Sequence, residues 1–487
     1  MIKARTIRFV EPMTRPGRPY NAWIRRWPLL GPVTLATVLH AKGFDVGIFN
    51  ENISGAVEQN ASAWDDLRKA DVVGISIMTP TASRGYAIAD RLRAEGCRAT
   101  IVLGGVHATF MSAEAAAHGD VIVQGEGENA IEAIARGDIA HGIVPSTPVA
   151  DLDVIPPLNY FLMHDFEKLI ATQRRRELYE LPMATSRGCP YGCTYCSVTR
   201  MFGRKVRRQS VKKVISDLRH HIAQGFERVF FYDDNFLADR DWAREVLERM
   251  RPLKMRFNLQ GRADFHWTSA ARTQHDGPLL RAIRRAGPNV IYVGYETIDE
   301  ATARAWNKGY RGTRSLSRRL AEDTRILHET GLWIHGMFVL GPQHTQQTAD
   351  GIVQFARREQ IESLQITILT PFPGTPLLGQ MAPNLIVQDF PRDWDYFDGT
   401  HCVFGNSRMG FERMQQTVFD AHRRFYRLGG WSVRRVRALL EEPLSVRDKV
   451  ARLWDNAKIA RPTLANWKAE IAAYIDYVRA NVNLANS

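Results

Sequence analysis

Residues 185–200 read Thr-Ser-Arg-Gly-Cys-Pro-Tyr-Gly-Cys-Thr-Tyr-Cys-Ser-Val-Thr-Arg, and the rest of the chain is organised around them. Cys189, Cys193 and Cys196 follow the spacing C-x3-C-x2-C on a loop that contains glycine and proline. Three thiolates this close in sequence can converge on one metal centre, whereas a structural zinc site needs a fourth protein ligand. The two other cysteines are remote, so the pattern favours a four-iron cluster with one iron left open. The alternatives are a chance grouping of cysteines and a zinc knuckle with a histidine as fourth ligand.

The composition is typical of a globular protein of several domains. The chain has 487 residues, of which 45% are hydrophobic and 24% charged. This length predicts about three domains. Five cysteines, three of them in one loop, do not form a disulfide framework, and we therefore expect a reducing cytoplasm. No apolar run is long enough to span a membrane, and no apolar core follows Met1 as a signal peptide requires.

The net charge of +13 admits anionic partners such as nucleic acid, a phosphate-bearing ligand or an anionic membrane surface. The arginines are spread along the chain, and aromatic RNA-binding motifs and zinc-finger spacings are absent. This pattern favours a solvated surface. We therefore expect no nucleic-acid partner, while peripheral contact with a membrane stays open.

Residues 1–145 are predicted to form a doubly wound α/β domain. Runs rich in β-branched residues at 7–10, 45–49, 71–77, 99–103 and 121–123 alternate with helical stretches, as in a parallel sheet covered by helices. Ligands of such sheets bind at the carboxyl ends of the strands. Loops rich in glycine and hydroxyl groups follow the last three strands. The candidate ligand-binding residues there are Thr79, Ser83, Gly104, Gly105, His107, Gly125 and Glu126.

Residues 181–379 repeat strand and helix about six times. Strands are predicted at 183–186, 228–232, 256–259, 290–295, 333–340 and 363–369. A complete eight-stranded barrel usually takes about 250 residues, and active residues of parallel barrels follow the carboxyl ends of the strands. Asp234, Arg262 and Glu296 stand at such ends.

Two other segments have a different composition. Residues 146–180 contain Pro156-Pro157 and three consecutive arginines, and they are predicted to be a linker that lies over the surface. Residues 380–487 are predicted to be α-helical, with an amphipathic helix at 411–427. Their tryptophans, Trp431, Trp454 and Trp467, are expected in the core.

The cysteine loop resembles the signature of the radical S-adenosylmethionine (SAM) superfamily, C-x3-C-x-aromatic-C, with Tyr195 as the aromatic residue. The preceding domain resembles the cobalamin-binding domain of B12-dependent radical SAM enzymes. The stretches that carry this second resemblance are Gly104-Gly105-Val106-His107-Ala108-Thr109 and the acidic Gly125-Glu126-Gly127-Glu128. Together they imply a Rossmann-like B12-binding domain, a central partial (β/α)6 barrel and a C-terminal helical cap. The implied cofactors are a [4Fe-4S] cluster, SAM and cobalamin.

The resemblance also implies roles for individual residues. The three loop cysteines would hold the cluster, and its open iron would bind the amino and carboxylate groups of SAM. The implied SAM-binding residues are Tyr195, Asp234, Arg262, Glu296 and Gly336, and the implied cobalamin-binding residues are the seven candidates of the first domain. His107 is better placed for the periphery of cobalamin than for its metal, with a plain turn role as the alternative. Val38-Leu39-His40 lacks the aspartate of the D-x-H-x-x-G motif, so we expect no cobalt ligand from it.

The implied chemistry is methylation of an unactivated carbon. One SAM methylates cob(I)alamin, and another yields the 5′-deoxyadenosyl radical that removes a hydrogen atom from the substrate, which then takes the methyl group from methylcobalamin. No side chain need act as a general acid or base, and none is named. The expected partners are a small-molecule or lipid substrate and an external electron donor of the flavodoxin or ferredoxin type. Three alternatives stay open: a non-methylating B12 radical enzyme such as a cyclase, a radical SAM enzyme that has lost cobalamin, and a nucleic-acid-binding metalloprotein.

Overall fold

A computed structural model describes residues 5–426 and 466–481, apart from 17, 19–20, 22–25, 173–178, 270, 311–313 and 406–407. Two parallel six-stranded sheets, each covered by helices, dominate this part of the chain. Trp431 and Trp454 lie outside the described residues, whereas Trp467 is buried against Phe419 and His422, as predicted for the core.

The first sheet consists of β1 (Thr6–Glu11), β2 (Asp45–Asn50), β3 (Val72–Ser76), β4 (Thr100–Gly104), β5 (Val121–Gln124) and β6 (Gly142–Pro145). The strand order is β2-β1-β3-β4-β5-β6, and every pairing is parallel. The order changes direction beside β1, which is where a doubly wound sheet places its ligand. The predicted fold class is confirmed, but the prediction of five strands is wrong. β6 is an exposed edge strand that ends in proline, so it lacks the apolar signal of a buried strand.

The second sheet consists of β7 (Glu180–Met183), β10 (Arg228–Phe231), β11 (Arg256–Gly261), β12 (Pro288–Glu296), β13 (Trp333–Leu340) and β14 (Ser363–Ile368). Its strands follow one another in the order β14-β13-β12-β11-β10-β7, all parallel, which gives the predicted six-stranded partial barrel. A short antiparallel ribbon of β8 (Ser186–Arg187) and β9 (Arg207–Arg208) stands between β7 and β10. The first barrel strand was predicted at 183–186, but its pairing with β10 ends at Met183.

Helices cover the faces of both sheets. Those of the first sheet are Leu30–Ala41, Glu51–Ser54, Ala61–Lys69, Ala82–Ala94, Val106–Phe110, Ser112–Ala115 and Glu128–Arg136. Those of the second are Val198–Met201, Val211–Ala223, Arg240–Met250, Gly277–Arg285, Glu300–Ala305, Leu316–Glu329 and Gln346–Arg358. Several begin at a side chain that caps a free backbone amide, for example Asp239, whose carboxylate accepts from the amide of Trp242 at 3.1 Å. None of the helices in the described ranges is long and apolar enough to cross a membrane.

The segment 146–180 does not simply lie over the surface, as predicted for a linker. It contains helix Phe166–Thr172, and Tyr160, Met163 and Phe166 are buried in the core between the first sheet and β7. The amide of His164 donates to the carbonyl of Ile48 in β2 at 2.8 Å. The aromatic side chains of this segment therefore fasten the two sheets together.

The C-terminal region, with helices Pro376–Met381, Phe411–Phe425 and 466–481, packs against both sheets. His422 accepts from the amide of Ile366 at 3.1 Å, and the Tyr426 hydroxyl accepts from the amide of Leu364 at 2.9 Å, so the edge of β14 is covered. Further along, the Arg18 Nε donates to Glu470 at 2.8 Å, and His401 Nδ1 lies 2.9 Å from Asp398. We call these last four side chains the C-terminal polar cluster.

Candidate functional site

The ribbon of β8 and β9 encloses the cysteine loop at the carboxyl end of β7. It pairs Ser186 with Arg208 and Arg187 with Arg207. Gly188, with φ of +96°, approaches the returning chain so closely that a Cβ atom would lie 2.6 Å from the carbonyl oxygen of Lys205. Only glycine fits this left-handed close approach. The ribbon and this close approach therefore hold the two ends of the loop next to each other.

The three loop cysteines are free, half-buried thiols. Burial raises the pKa of Cys189 and raises that of Cys196 to about 12. Their deprotonation therefore requires a nearby cation, which a bound metal centre provides. Within the described part of the chain, no three cysteine, histidine, aspartate or glutamate side chains are close enough to hold a single metal ion. The three thiols on one loop are the kind of donor that holds an iron–sulfur cluster.

Two consecutive aspartates follow β10. Asp233 is buried, and its carboxylate accepts from the amide of Thr185 at 3.1 Å and from the hydroxyls of Thr185 and Ser186 at 2.9 and 2.5 Å. It thus ties β10 to the entry of the cysteine loop. Asp234, a predicted SAM contact, remains open to solvent, although the surrounding protein and Asp233 raise its pKa to about 7. Its carboxylate interacts electrostatically with the loop thiols.

Arg262, predicted to bind SAM, already has partners for its guanidinium group. Nε and Nη2 donate to Asp264 at 2.9 and 3.1 Å, and Nη1 donates to the carbonyl of Lys308 at 2.7 Å. The group also stacks on the rings of Tyr191, in the cysteine loop, and Tyr310, at 4.1 and 4.8 Å from their centroids. Burial disfavours the positive charge, but Asp264 and the tyrosines outweigh it and raise the pKa of Arg262. In this structure Arg262 anchors the cysteine loop to the end of β11.

Glu296 ends β12 with φ of +63°, where the register with β13 shifts. Such a backbone is costly for a residue other than glycine and is common at functional sites. A Cβ atom on Gly294 would lie 2.5 Å from Oε1 of Glu296, so Gly294 makes room for this carboxylate. Lys308 donates to Oε1 at 3.0 Å, and Glu296 also interacts electrostatically with Tyr195. The ring of Tyr195 packs edge-on against Trp306 at 5.7 Å. Two predicted SAM residues, Tyr195 and Glu296, are thus brought together.

The side-chain position of Gly336 points away from Tyr195 and Glu296. Half-buried and buried residues alternate along β13, and the half-buried ones are Trp333, His335, Met337 and Val339. A Cβ atom on Gly336 would instead lie 3.2 Å from Ile361, on the side covered by helices. A ligand on the concave side could therefore meet only the backbone of Gly336.

The glycine pair after β4 has two different roles. Gly105, with φ of +96°, approaches β3 so closely that a Cβ atom would lie 2.7 Å from the carbonyl oxygen of Ile77. The amide of Ile77 donates to the carbonyl of Gly104 at 2.8 Å. At Gly104 the nearest atom to a Cβ would be in Val123, 4.0 Å away. Gly105 is therefore needed for the packing of two loops, whereas a Cβ atom at Gly104 would make only an ordinary van der Waals contact.

His107 is fully buried, and both ring nitrogens have partners. Nδ1 lies 3.4 Å from the hydroxyl of Thr79, and Nε2 lies 3.2 Å from Glu114. Trp394, from the C-terminal region, donates to the same glutamate at 3.1 Å and packs edge-on against the imidazole at 5.0 Å. His107 thus connects the first sheet to the C-terminal region, and its contact with cobalamin stays a prediction.

Glu126, predicted to contact cobalamin, is buried among two arginines of the ribbon. Arg187 donates to its Oε2 at 2.6 Å, and Arg207 donates to Oε2 at 3.0 Å and also to Oε1. Arg187 also donates to Glu128 at 2.5 Å, and the amide of Val149 donates to Glu126 at 3.1 Å. Burial opposes the negative charge of Glu126, but the arginines outweigh it and lower its pKa. We call Glu126, Glu128, Arg187 and Arg207 the interdomain clamp.

The two remaining candidates lie on the same edge of the first sheet. Ser83 is half-buried in the first turn of helix Ala82–Ala94. Gly125 has φ of +94°, and its amide donates to the hydroxyl of Thr109 at 3.0 Å. All seven predicted residues of the first domain are therefore gathered beyond the carboxyl ends of β3, β4 and β5.

The sequence prediction missed several residues that organise this site: Glu114, Arg187, Arg207, Asp264, Lys308 and Trp394. Two of them had a local signal. Arg187 directly precedes the glycine of the cysteine loop, and Asp264 stands two residues after Arg262. Arg207 and Trp394 are paired with residues 81 and 280 positions away, and no local pattern marks such pairs. Glu114 and Lys308 lie 7 and 12 positions from His107 and Glu296, but nothing in the sequence specifies those contacts.

Two family models match the chain, one on each sheet. The B12 binding domain model matches residues 25–135, and the radical SAM superfamily model matches residues 183–356. Together they span more than half of the chain. The chain belongs to the cobalamin-dependent radical SAM enzymes. The prediction of cobalamin, SAM and a [4Fe-4S] cluster as cofactors is thereby confirmed.

Relatives of this radical SAM enzyme include both methyltransferases and cyclases. The bacteriochlorophyllide d C-12(1)-methyltransferase of Chlorobaculum tepidum is 26% identical over 398 residues, which cover 81% of each chain. The anaerobic magnesium-protoporphyrin IX monomethyl ester cyclase of Cereibacter sphaeroides is 23% identical over 446 residues, covering 82% of this chain and 67% of the cyclase. The solved structure of the cobalamin-dependent SAM radical enzyme OxsB with aqua-cobalamin bound matches with a TM-score of 0.66 and 14% identity. It covers 99% of this chain and 81% of OxsB, which confirms the fold.

Proposed function

We propose that this enzyme is a C-methyltransferase that uses SAM, cobalamin and a [4Fe-4S] cluster to methylate an unactivated carbon of a small-molecule or lipid substrate. The methyltransferase relative matches over 81% of its own length at 26% identity, whereas the cyclase matches over 67% of its own length at 23%, which supports this choice of reaction. The structural observation that carries the proposal is the interdomain clamp. It joins the carboxyl edge of the first sheet to the ribbon of the cysteine loop, as one active site built from both domains requires.

The three loop cysteines would hold the cluster, and Tyr195, Asp234 and Glu296 would receive SAM. When bound, the cluster supplies an electron for cleavage of SAM, and cobalamin carries the methyl group. The carboxylate of Asp234 is open to solvent near the thiols, where it can pair with the ammonium group of SAM. Arg262, held by Asp264, keeps the cysteine loop in place. These side chains bind and orient the reactants, and none of them has to move a proton.

Cobalamin would lie along the carboxyl edge of the first sheet. His107 and Glu126 already have protein partners, so the groups left for the corrin are the hydroxyl of Ser83, Gly104, which carries no side chain, and nearby backbone. His40 is exposed at the end of helix Leu30–Ala41. That helix runs from the carboxyl edge of β1 back to the opposite edge of the sheet, so His40 lies far from the proposed corrin. This placement supports the expectation that it does not bind cobalt.

We also propose that the enzyme works in the cytoplasm with an external electron donor of the flavodoxin or ferredoxin type. All five cysteines are free, which supports a reducing compartment.

The test is anaerobic reconstitution with iron, sulfide and hydroxocobalamin, followed by reduction with dithionite in the presence of SAM. Methylation predicts both S-adenosylhomocysteine and 5′-deoxyadenosine once a substrate is present. Bacteriochlorophyllide and magnesium-protoporphyrin monomethyl ester, named for the relatives, are the first substrates to try. Formation of 5′-deoxyadenosine and an altered substrate without S-adenosylhomocysteine would identify a cyclase or another non-methylating enzyme instead.

A further inference from the structure

The chain that forms and follows the cysteine loop is basic on its outer face. Residues 188–216 contain seven lysines and arginines and no aspartate or glutamate. Arg207 belongs to the interdomain clamp. Arg208 pairs with Asp239 at 3.0 Å, and Lys213 pairs with Asp217 at 2.6 Å. The other four are exposed and have no acidic partner in the described ranges. These four, which we call the loop cations, are Arg200, Arg204, Lys205 and Lys212.

Three of the loop cations, Arg200, Arg204 and Lys205, belong to the cysteine loop or contact it, and Lys212 continues the basic stretch in helix Val211–Ala223. Arg200 is in helix Val198–Met201, which begins two residues after the third cysteine. Arg204 donates to the carbonyl of Pro190 at 3.1 Å, next to the first cysteine, and the backbone of Lys205 closes the loop at Gly188. The thiols are half-buried, and Tyr191 among them is 38% exposed. A cluster bound there would therefore lie just below this positively charged surface.

We propose that the loop cations form the docking surface for an acidic one-electron carrier of the flavodoxin type. The inference rests on the proposed function, because the proposed cluster must be reduced. When the carrier reduces the cluster, the carrier loses one electron, the cluster gains it, and no bond forms or breaks. Opposite charges on two proteins accelerate their encounter and fix their relative orientation. Two acidic side chains beside this stretch are already engaged: Asp239 by Arg208 at 3.0 Å, and Asp153 by the amide of Ser210 at 2.7 Å.

Direct binding tests this surface without any turnover. Oxidised flavodoxin is titrated into the reconstituted full-length enzyme, and the dissociation constant is measured by calorimetry. The variant R200Q/K205Q/K212Q removes three loop cations and keeps Arg204, which braces Pro190. The control variant R281Q/R284Q/R285Q removes three exposed arginines from helix Gly277–Arg285 on the outer side of the barrel. We expect the loop variant to bind at least about tenfold more weakly and the control to bind as the wild type does, with wild-type affinity falling as salt is added.

SAM cleavage gives a second readout. With reduced flavodoxin, 5′-deoxyadenosine formation should be slower in the loop variant. With dithionite, which needs no docking site, the rate should equal that of the wild type, and this equality also shows that the cysteine loop is intact. The inference is refuted if flavodoxin binding is insensitive to salt, or if the loop and control variants weaken it equally. It is also refuted if the loop variant loses affinity only for phosphatidylglycerol vesicles or for RNA. Absence of SAM cleavage in the wild type would refute the proposed function, while the binding result would still decide the docking surface.

Discussion

Replacing Glu126 by glutamine should loosen the contact between the first domain and the cysteine loop. The substitution keeps the shape of the side chain and leaves an oxygen that can accept from the amide of Val149. It removes the negative charge that faces Arg187 and Arg207. The carboxylate is 1% exposed, and the two arginine side chains are 16% and 12% exposed. Water therefore screens these charges weakly, and the ion pair should contribute more to stability than a surface ion pair does.

The remaining contacts limit the size of the effect. Removing one partner of a buried ion pair typically costs about 3–5 kcal/mol, because the other charge is left buried without compensation. Arg187 keeps Glu128 at 2.5 Å, and Arg207 keeps the carbonyls of Val149 and Phe202. We therefore expect a smaller cost, about 2–3 kcal/mol, the value of one or two charged hydrogen bonds.

Hydrogen exchange of the ribbon amides measures this cost locally. The amide of Gln209, which donates to Thr185 at 2.8 Å, should exchange roughly thirty- to one-hundred-fold faster, since 1.4 kcal/mol corresponds to a factor of ten. The matched control is Glu132→Gln, on the same helix as Glu128, which removes a surface ion pair with Arg136 and should change exchange very little. Unchanged protection of the ribbon in the Glu126 variant would refute the argument, as would equal loss of protection throughout the protein.

The same ion pair predicts a dependence on pH. The arginines hold the pKa of Glu126 below its usual value of 4.5 in the folded protein. A group with a lowered folded pKa contributes stability that is complete above its unfolded pKa and is lost as the pH falls through the folded value. Protection of the ribbon should therefore drop below about pH 4.5 in the wild type, and this acid-dependent step should be smaller in the glutamine variant.

Three further predictions concern other parts of the molecule. Replacing all three loop cysteines by alanine should abolish iron binding and 5′-deoxyadenosine formation, measured by iron assay and chromatography, whereas Cys97→Ala should retain both. Gly105→Ala should lower the free energy of unfolding by about 1–3 kcal/mol, because its Cβ would collide with β3 in a left-handed backbone, and Gly104→Ala should lower it much less in the same denaturation assay. In the C-terminal polar cluster, burial disfavours the charged form of His401, but Asp398 outweighs it and raises the pKa above 6.5. Its stabilisation of helix 466–481 should be complete below pH 6.5 and lost as the pH rises through the raised value, so hydrogen exchange of that helix should accelerate at alkaline pH in the wild type and not in a His401→Gln variant.

Several strands could be predicted because they are buried on both faces. Helices on each side require continuous apolar runs such as Val72–Ser76, and these runs stand out against the polar loops between them. The predictions failed where burial is incomplete or where a side chain replaces a backbone pairing. β6 is an exposed edge, and β7 ends at Met183 because Asp233 then takes over the amide and hydroxyl of Thr185.

Residue roles in the site were harder to predict than the loops that contain them. The loops were identified because glycines and hydroxyls follow apolar runs. The partner of a buried charge, however, is set by tertiary packing: Glu126 meets Arg207 from 81 positions away, and Trp394 reaches Glu114 from 280 positions away. No periodicity or spacing in the sequence specifies such pairs. The sequence therefore predicts Glu126 and His107 as cofactor contacts but not the partners that they have in the neighbouring domain and the C-terminal region.

The positions of these engaged residues suggest why the clamp is ionic. A protein that brings two cofactors to one substrate must keep two sheets in a defined relative position, yet leave the space between their carboxyl ends open. An apolar interface between the sheets would bury the most surface by filling the space between their carboxyl ends, which has to stay open. The clamp instead fixes the sheets through a few directional hydrogen bonds at one point, Glu126 against the ribbon, while the aromatic side chains of 146–180 fasten the domains elsewhere. An apolar replacement such as Glu126→Leu with Arg207→Leu should therefore keep the two domains in contact but slow methyl transfer more than SAM cleavage, because the register of the two domains depends on the direction of the hydrogen bonds. If methyl transfer and SAM cleavage were slowed by the same factor in that double variant, simple contact between the domains would be enough.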